Sequence, residues 1–69
     1  MPERLANRLK ERRAELGLTQ AELAEKVAVT RKTVNTVENG VFVPSTILAL
    51  RLARALDMAV EELFFISSD

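Results

Sequence analysis

The chain has 69 residues, 48% of them hydrophobic, enough to bury one small core but not two, so a single domain over residues 1–69 is expected. Cysteine and histidine are both absent, which excludes zinc clusters, disulfides and any Ser/His or Cys/His nucleophile pair, and argues against an enzyme. Ten Lys/Arg balance ten Asp/Glu, which counts against strong sequence-independent attraction to nucleic acid, yet residues 1–40 hold eight of the cations against six anions, so any polyanion surface belongs in that part.

Leu5, Leu9 and Leu16 recur at helical spacing and Gly17 follows as a stop, which predicts a first helix over residues 3–16. In "LTQAEL", Thr19 and Glu22 have capping-box spacing and Leu18 and Leu23 that of a hydrophobic staple, so a second helix covers residues 20–27. Only "AVT" separates it from a third helix, residues 31–39, which Thr30 can cap and a Val29–Val34 staple can anchor. In "GVFVPS", Gly40 ends that helix, Pro44 marks a boundary and Ser45 caps a fourth helix over residues 46–56. Only Arg51 and Arg54 interrupt "TILALRLARAL", so this helix is expected to be covered over most of its circumference, at the centre of the core. Asp57 suits a left-handed turn, and a short fifth helix follows over residues 60–65, although Ala59 supplies no capping side chain. The fold class is therefore all-α, a compact five-helix bundle, with no repeat, linker or low-complexity stretch.

Two helices of about eight residues joined by so short a link must cross steeply, which makes the second and third a helix-turn-helix. Val34 and Val37 mark the buried stripe of the third, leaving Arg31, Lys32, Asn35 and Thr36 turned outward or to the flanks. Those donors and mixed donor-acceptors match a major groove, where guanine offers two acceptors and adenine an acceptor and a donor. A polar helix face is ordinarily just solvated. The accompanying pair of capped helices is what favours the groove. Arg13 lies four residues after Leu9, and Glu38 four after Val34, so each places a charge on an inward stripe and the two are expected to pair.

"LTQAELAEKVAVTRKTVNTVENG" followed by "PSTILALRLARALDMAVEELF" resembles the phage repressor and Cro type of helix-turn-helix regulator, the XRE family, over nearly the whole chain. "TQAELAEK", "TVENG" and "LARAL" stand in the family's order and spacing. The resemblance implies a lambda-repressor-like DNA-binding domain in which Arg31, Lys32, Asn35 and Thr36 read bases. It implies that Gln20 contacts a phosphate or a base at the groove edge, that Thr30, Thr33 and Asn39 touch the DNA backbone, and that Arg13 and Glu38 form a partly buried salt bridge orienting the reading helix. The chain departs from the family's pattern at Ala28, where glycine is usual, and after Gly40, where "VFV" replaces a basic or polar loop and offers phosphate only backbone amides. Arg8 and Arg12 of the first helix are then candidates for phosphate contact.

These readings converge on a transcriptional regulator, by default a repressor, that binds double-stranded DNA at a palindromic operator as a homodimer. Residues 63–69 are expected to be a dimerisation tail, because Leu63, Phe64, Phe65 and Ile66 in succession point in different directions on a helix. The tail could also extend as a short strand, pairing with its two-fold mate or folding back over the first helix. The alternatives are an antitoxin with a toxin partner, a restriction-modification controller, or a protein-interaction module that has lost DNA. No cofactor or metal is expected. No apolar run approaches the ~20 residues of a membrane span and no signal segment is evident, so the expected location is cytoplasmic, with the nucleoid reached through DNA.

Overall fold

The computed structural model describes residues 3–68; Met1, Pro2 and Asp69, the last residue of the expected tail, lie outside the described residues. Its elements run β1 (Arg4–Asn7), α1 (Leu9–Glu15), α2 (Gln20–Lys26), α3 (Arg31–Glu38), α4 (Thr46–Ala55), α5 (Val60–Leu63) and β2 (Phe64–Ser67). The three central helices begin where their caps dictate. Thr19 accepts the Glu22 N–H at 3.0 Å while the Glu22 carboxylate accepts the Thr19 N–H at 2.8 Å, a complete capping box. Thr30 accepts the Thr33 N–H and Ser45 the Leu48 N–H, at 3.2 and 3.1 Å.

The four longer helices stop in the same way. Gly17, Ala28, Gly40 and Asp57 each follow a helix with a positive φ, at 70, 59, 73 and 53°. Each turns its own N–H and that of the next residue back onto carbonyls of the preceding turn, as Ala28 N–H does to Glu25 and Val29 N–H to Ala24. Two of these positions are glycine, which carries the conformation without steric cost, and Asp57 tolerates it; Ala28 does not. The one-residue departure from the family's pattern is therefore a strained one.

The core draws on every helix and on β2: Leu9, Leu23, Ala24, Val27, Val34, Val37, Leu48, Leu52, Ala53, Leu56, Leu63 and Phe64 form one buried cluster. α2 and α3 pack closely against each other across the "AVT" turn, which is the helix-turn-helix expected from the link length.

Three expectations need correction. The first helix does not start at residue 3, because Arg4–Asn7 pairs antiparallel with Phe64–Ser67, in the register Arg4 to Ser67 and Asn7 to Phe64. A spacing of four between Leu5 and Leu9 fits a helix, but the backbone of Leu5 finds its partner in Ile66 instead. The fifth helix accordingly ends at Leu63, and all-α holds only as an approximation beside these two short strands. α4, lastly, is not covered over most of its circumference: Leu48, Leu52 and Ala53 are buried, while Ile47 and Leu50 remain 64% and 53% exposed.

Candidate nucleic-acid interface

The outer face of α3 follows from its inner one. Val34 and Val37 are 1% exposed, three residues apart, and fix the rotation of the helix so that Arg31, Lys32 and Asn35 lie in solvent. These three line one shallow open cleft. Neither cation has an ion-pair partner among the described residues, so their charge is unneutralised. Thr36 sits at the flank, half-buried, and its hydroxyl donates to the Thr33 carbonyl at 3.0 Å. The Asn35 side-chain oxygen accepts from the Asn39 amide at 3.3 Å, so the two amides already form an i, i+4 pair along the exposed edge.

The residues expected at the DNA backbone are distributed more unevenly. Thr30 is exposed at the start of α3, with its hydroxyl 3.1 Å from that of Thr33, and Arg31 and Lys32 stand between them in sequence. Asn39 is exposed at the other end of the helix. Gln20 opens α2, but its amide nitrogen donates to Glu38 at 3.0 Å and the side chain is half-buried, so part of its donor capacity is used inside the protein.

What holds α3 in place is a polar joint at its C-terminal end. Arg13 on α1 donates to Glu38 through Nε at 2.6 Å and Nη2 at 3.3 Å, and its Nη1 reaches the Leu18 carbonyl at 2.8 Å. The Glu38 side chain is 2% exposed and that of Arg13 14%, and Gln20 supplies a further donor to the same carboxylate. Three helices are thus tied at one carboxylate, and no buried side-chain polar atom among the described residues is left without a partner. Asn7 adds a contact that sequence reading missed: its amide donates to the Val37 carbonyl at 3.0 Å while its oxygen accepts the Leu9 N–H at 3.0 Å. An asparagine two residues before a helix is a capping signal, masked in the sequence by the Leu5–Leu9 spacing, which places residue 7 inside a helix.

Arg8 and Arg12 both spend donors within the protein, Arg8 while remaining exposed and Arg12 while half-buried. Arg12 donates to the Leu56 carbonyl at 2.8 Å and the Asp57 carbonyl at 3.4 Å, satisfying the end of α4, and pairs with Glu15 at 3.2 Å. Arg8 donates to the Glu62 carbonyl at 3.1 Å and lies 4.6 Å from the centre of the Phe65 ring. Two of the three amides of the "VFV" loop are engaged as well, since Val41 and Phe42 N–H both bond the Thr36 carbonyl, at 2.9 and 3.2 Å. Of the four residues expected at a dimer interface, Leu63 and Phe64 are buried in the protomer's own core, Phe65 is half-buried under Arg8, and only Ile66 stands exposed, at 67%. The reason is the β1 pairing, which folds the tail back onto its own chain.

No helix among the described residues is long and apolar enough to cross a membrane. A family model described as helix-turn-helix matches residues 9–63. An HTH-type transcriptional regulator of Methanothermobacter thermautotrophicus is 52% identical over 62 residues, spanning 88% of this chain and 90% of its own length. The solved structure of the restriction-modification controller protein C.AhdI from Aeromonas hydrophila matches with a TM-score of 0.76 at 40% identity, over 80% of this chain and 83% of that one. The P22 c2 repressor, solved in complex with synthetic operator 9T, matches with a TM-score of 0.76 at 28% identity, over 78% of this chain and 82% of its own.

Proposed function

The chain belongs to the helix-turn-helix family of XRE type, as a transcriptional regulator with a DNA-binding fold, and from that premise we propose that it represses transcription as a homodimer on a palindromic operator. Residues 1–69 act in this reading as one DNA-binding domain without catalysis or cofactor. The observation that carries it is the exposed edge of α3, where Arg31, Lys32 and Asn35 share an open cleft with no acidic neutraliser. Laid in a major groove, Arg31 and Lys32 would meet guanine acceptors and Asn35 an adenine edge, with Thr36 at the groove wall. Thr30, Thr33 and Asn39 would bond phosphates on either side, and Gln20 would reach a third through the part of its amide that Glu38 leaves free. The joint of Arg13 and Glu38 orients the helix for this contact.

A second reading within the family has a specific observation behind it. The likeness to C.AhdI, named as a restriction-modification controller, supports a controller role for this chain too. A toxin or other protein partner would instead have to bind outside α3. Titrating labelled duplex DNA at rising salt tests DNA binding itself: affinity should fall linearly on a log-log plot with a slope set by the number of phosphates neutralised. Absence of any shift at low salt would leave only the protein-interaction reading.

A further inference from the structure

α4 carries no acidic residue, and its two arginines, Arg51 and Arg54, stand three apart and therefore on one face. With the end of α2 they form an open cleft of about 470 Å³, lined by Lys26, Val27, Ala28, Arg51, Arg54 and Ala55. All three cations are exposed, and none has an ion-pair partner among the described residues. Glu22, one turn before Lys26, keeps its carboxylate on the Thr19 N–H. Arg54 also borders a neighbouring cleft that does contain acids, Glu15, Asp57 and Glu62, yet pairs with none of them. Arg8, Arg12 and Arg13, by contrast, all spend donors inside the protein.

Helix ends explain two of these charges. Lys26 and Arg54 lie in the last turns of α2 and α4, where the helix dipole favours a cation. Arg51 lies in mid-helix and gains nothing from that source, and it is the residue that makes one three-cation cleft of two terminal charges. We infer that this cleft docks an acidic segment of a protein partner, one that carries an apolar side chain among its carboxylates. The inference goes beyond the DNA-binding reading above and leaves α3 free for it.

Charge complementarity sets the sign of the occupant, and the rest of the lining sets its kind. Val27, Ala28 and Ala55 are apolar, and a DNA or free phosphate gains nothing from their methyl groups. Phosphate sites draw on the free N–H groups of helix starts, whereas α2 and α4 end here, and the Val27 and Ala28 N–H groups are committed to the Leu23 and Glu25 carbonyls. A peptide carboxylate can accept two parallel bonds from a guanidinium while an apolar neighbour settles on the alanines. The place is also continuous with the reading helix. Ala28 stands two residues before the Thr30 cap, and Arg31 and Lys32 line a separate cleft, so a partner held here borders the DNA-facing edge while those cations stay free.

Titration of methyl-labelled protein with the capped peptide Glu-Ser-Leu-Ser-Glu at low salt, followed by NMR, tests the assignment. The Ala28 and Ala55 methyl signals should shift and saturate. Affinity should drop about two- to fivefold in Arg51→Ala and in Arg54→Ala, and Lys10→Ala, which removes an exposed cation elsewhere, should change nothing. Gln-Ser-Leu-Ser-Gln should fail to bind, and Glu-Ser-Ser-Ser-Glu should bind more weakly than the leucine peptide. Should an alanine variant lose helix content by circular dichroism, the wild-type methyl shifts with the three peptides decide alone. Silent Ala28 and Ala55 methyls, an equal loss in Lys10→Ala, or equal shifts from inorganic phosphate would overturn the proposal. So would a fall of about one in the salt slope of duplex binding for each arginine variant, which would give the cleft to a DNA phosphate. Duplex binding by the wild type in the same buffer keeps a failure of the cleft distinct from a failure of DNA binding.

Discussion

Arg13 on α1 grips Glu38 at the last residue of α3 through two N–H donors, at 2.6 and 3.3 Å, across 25 residues of sequence. Because the Glu38 side chain is 2% exposed, removing either partner strands a charge away from water. Glu38→Ala should therefore cost about 3 to 5 kcal/mol, a large share of what a chain this small can possess. Glu61→Ala, on an exposed helix end, should stay within about 0.5 kcal/mol. Denaturant titrations followed by circular dichroism compare the two; equal small losses would mean that Glu38 is solvated.

Ala28 holds φ at 59°, where a Cβ clashes with the backbone at a cost of about 1 to 2 kcal/mol. Glycine relieves this but adds about 0.4 to 1 kcal/mol of unfolded-state freedom. The net gain for Ala28→Gly is a few tenths to about 1 kcal/mol, a rise in melting temperature of a few degrees. Asp57→Gly, at φ 53°, should gain less because aspartate tolerates this region better. A lower melting temperature for Ala28→Gly would contradict the strain.

The Thr19 N–H, with help from the Thr19 hydroxyl and Lys26, holds the Glu22 carboxyl below its ordinary value of 4.5. A depressed carboxyl contributes stability above its unfolded value and loses it as pH falls through the folded one. The stability gap between wild type and Glu22→Ala should be widest near neutral pH and close below 4.5. Melting temperatures across that range measure it, and a gap independent of pH would show that the capping box does not act through the carboxylate.

The helix-turn-helix was legible because its signals are local. Thr19, Thr30 and Ser45 announce helix starts within three residues, and Val34 with Val37 orients α3. The ends of the chain were legible only in part: a strand in the tail was one of the open alternatives, but its partner was not, because Leu5 and Ile66 are brought together across some sixty residues and the Leu5–Leu9 spacing reads as helix. The same pairing accompanies the burial of Phe64 and sets Phe65 beneath the exposed Arg8 guanidinium, 4.6 Å from the ring centre. α4 misled for another reason: apolar residues crowd its whole circumference, but only the side carrying Leu48, Leu52 and Ala53 meets the other helices, so Ile47 and Leu50 stay in solvent.

The base-reading role of α3 is tested most directly by selecting bound sequences from a random duplex pool with the wild type, Arg31→Ala and Lys32→Ala. The wild type should enrich a two-fold site whose half-sites are centred about 34 Å apart, one helical turn of DNA. Each variant should relax preference at one or two positions in both half-sites, by about 1 to 3 kcal/mol per lost bidentate contact, while other positions keep theirs. Unchanged preferences for both variants, or no enriched site for the wild type, would contradict the assignment of α3 as the reading helix.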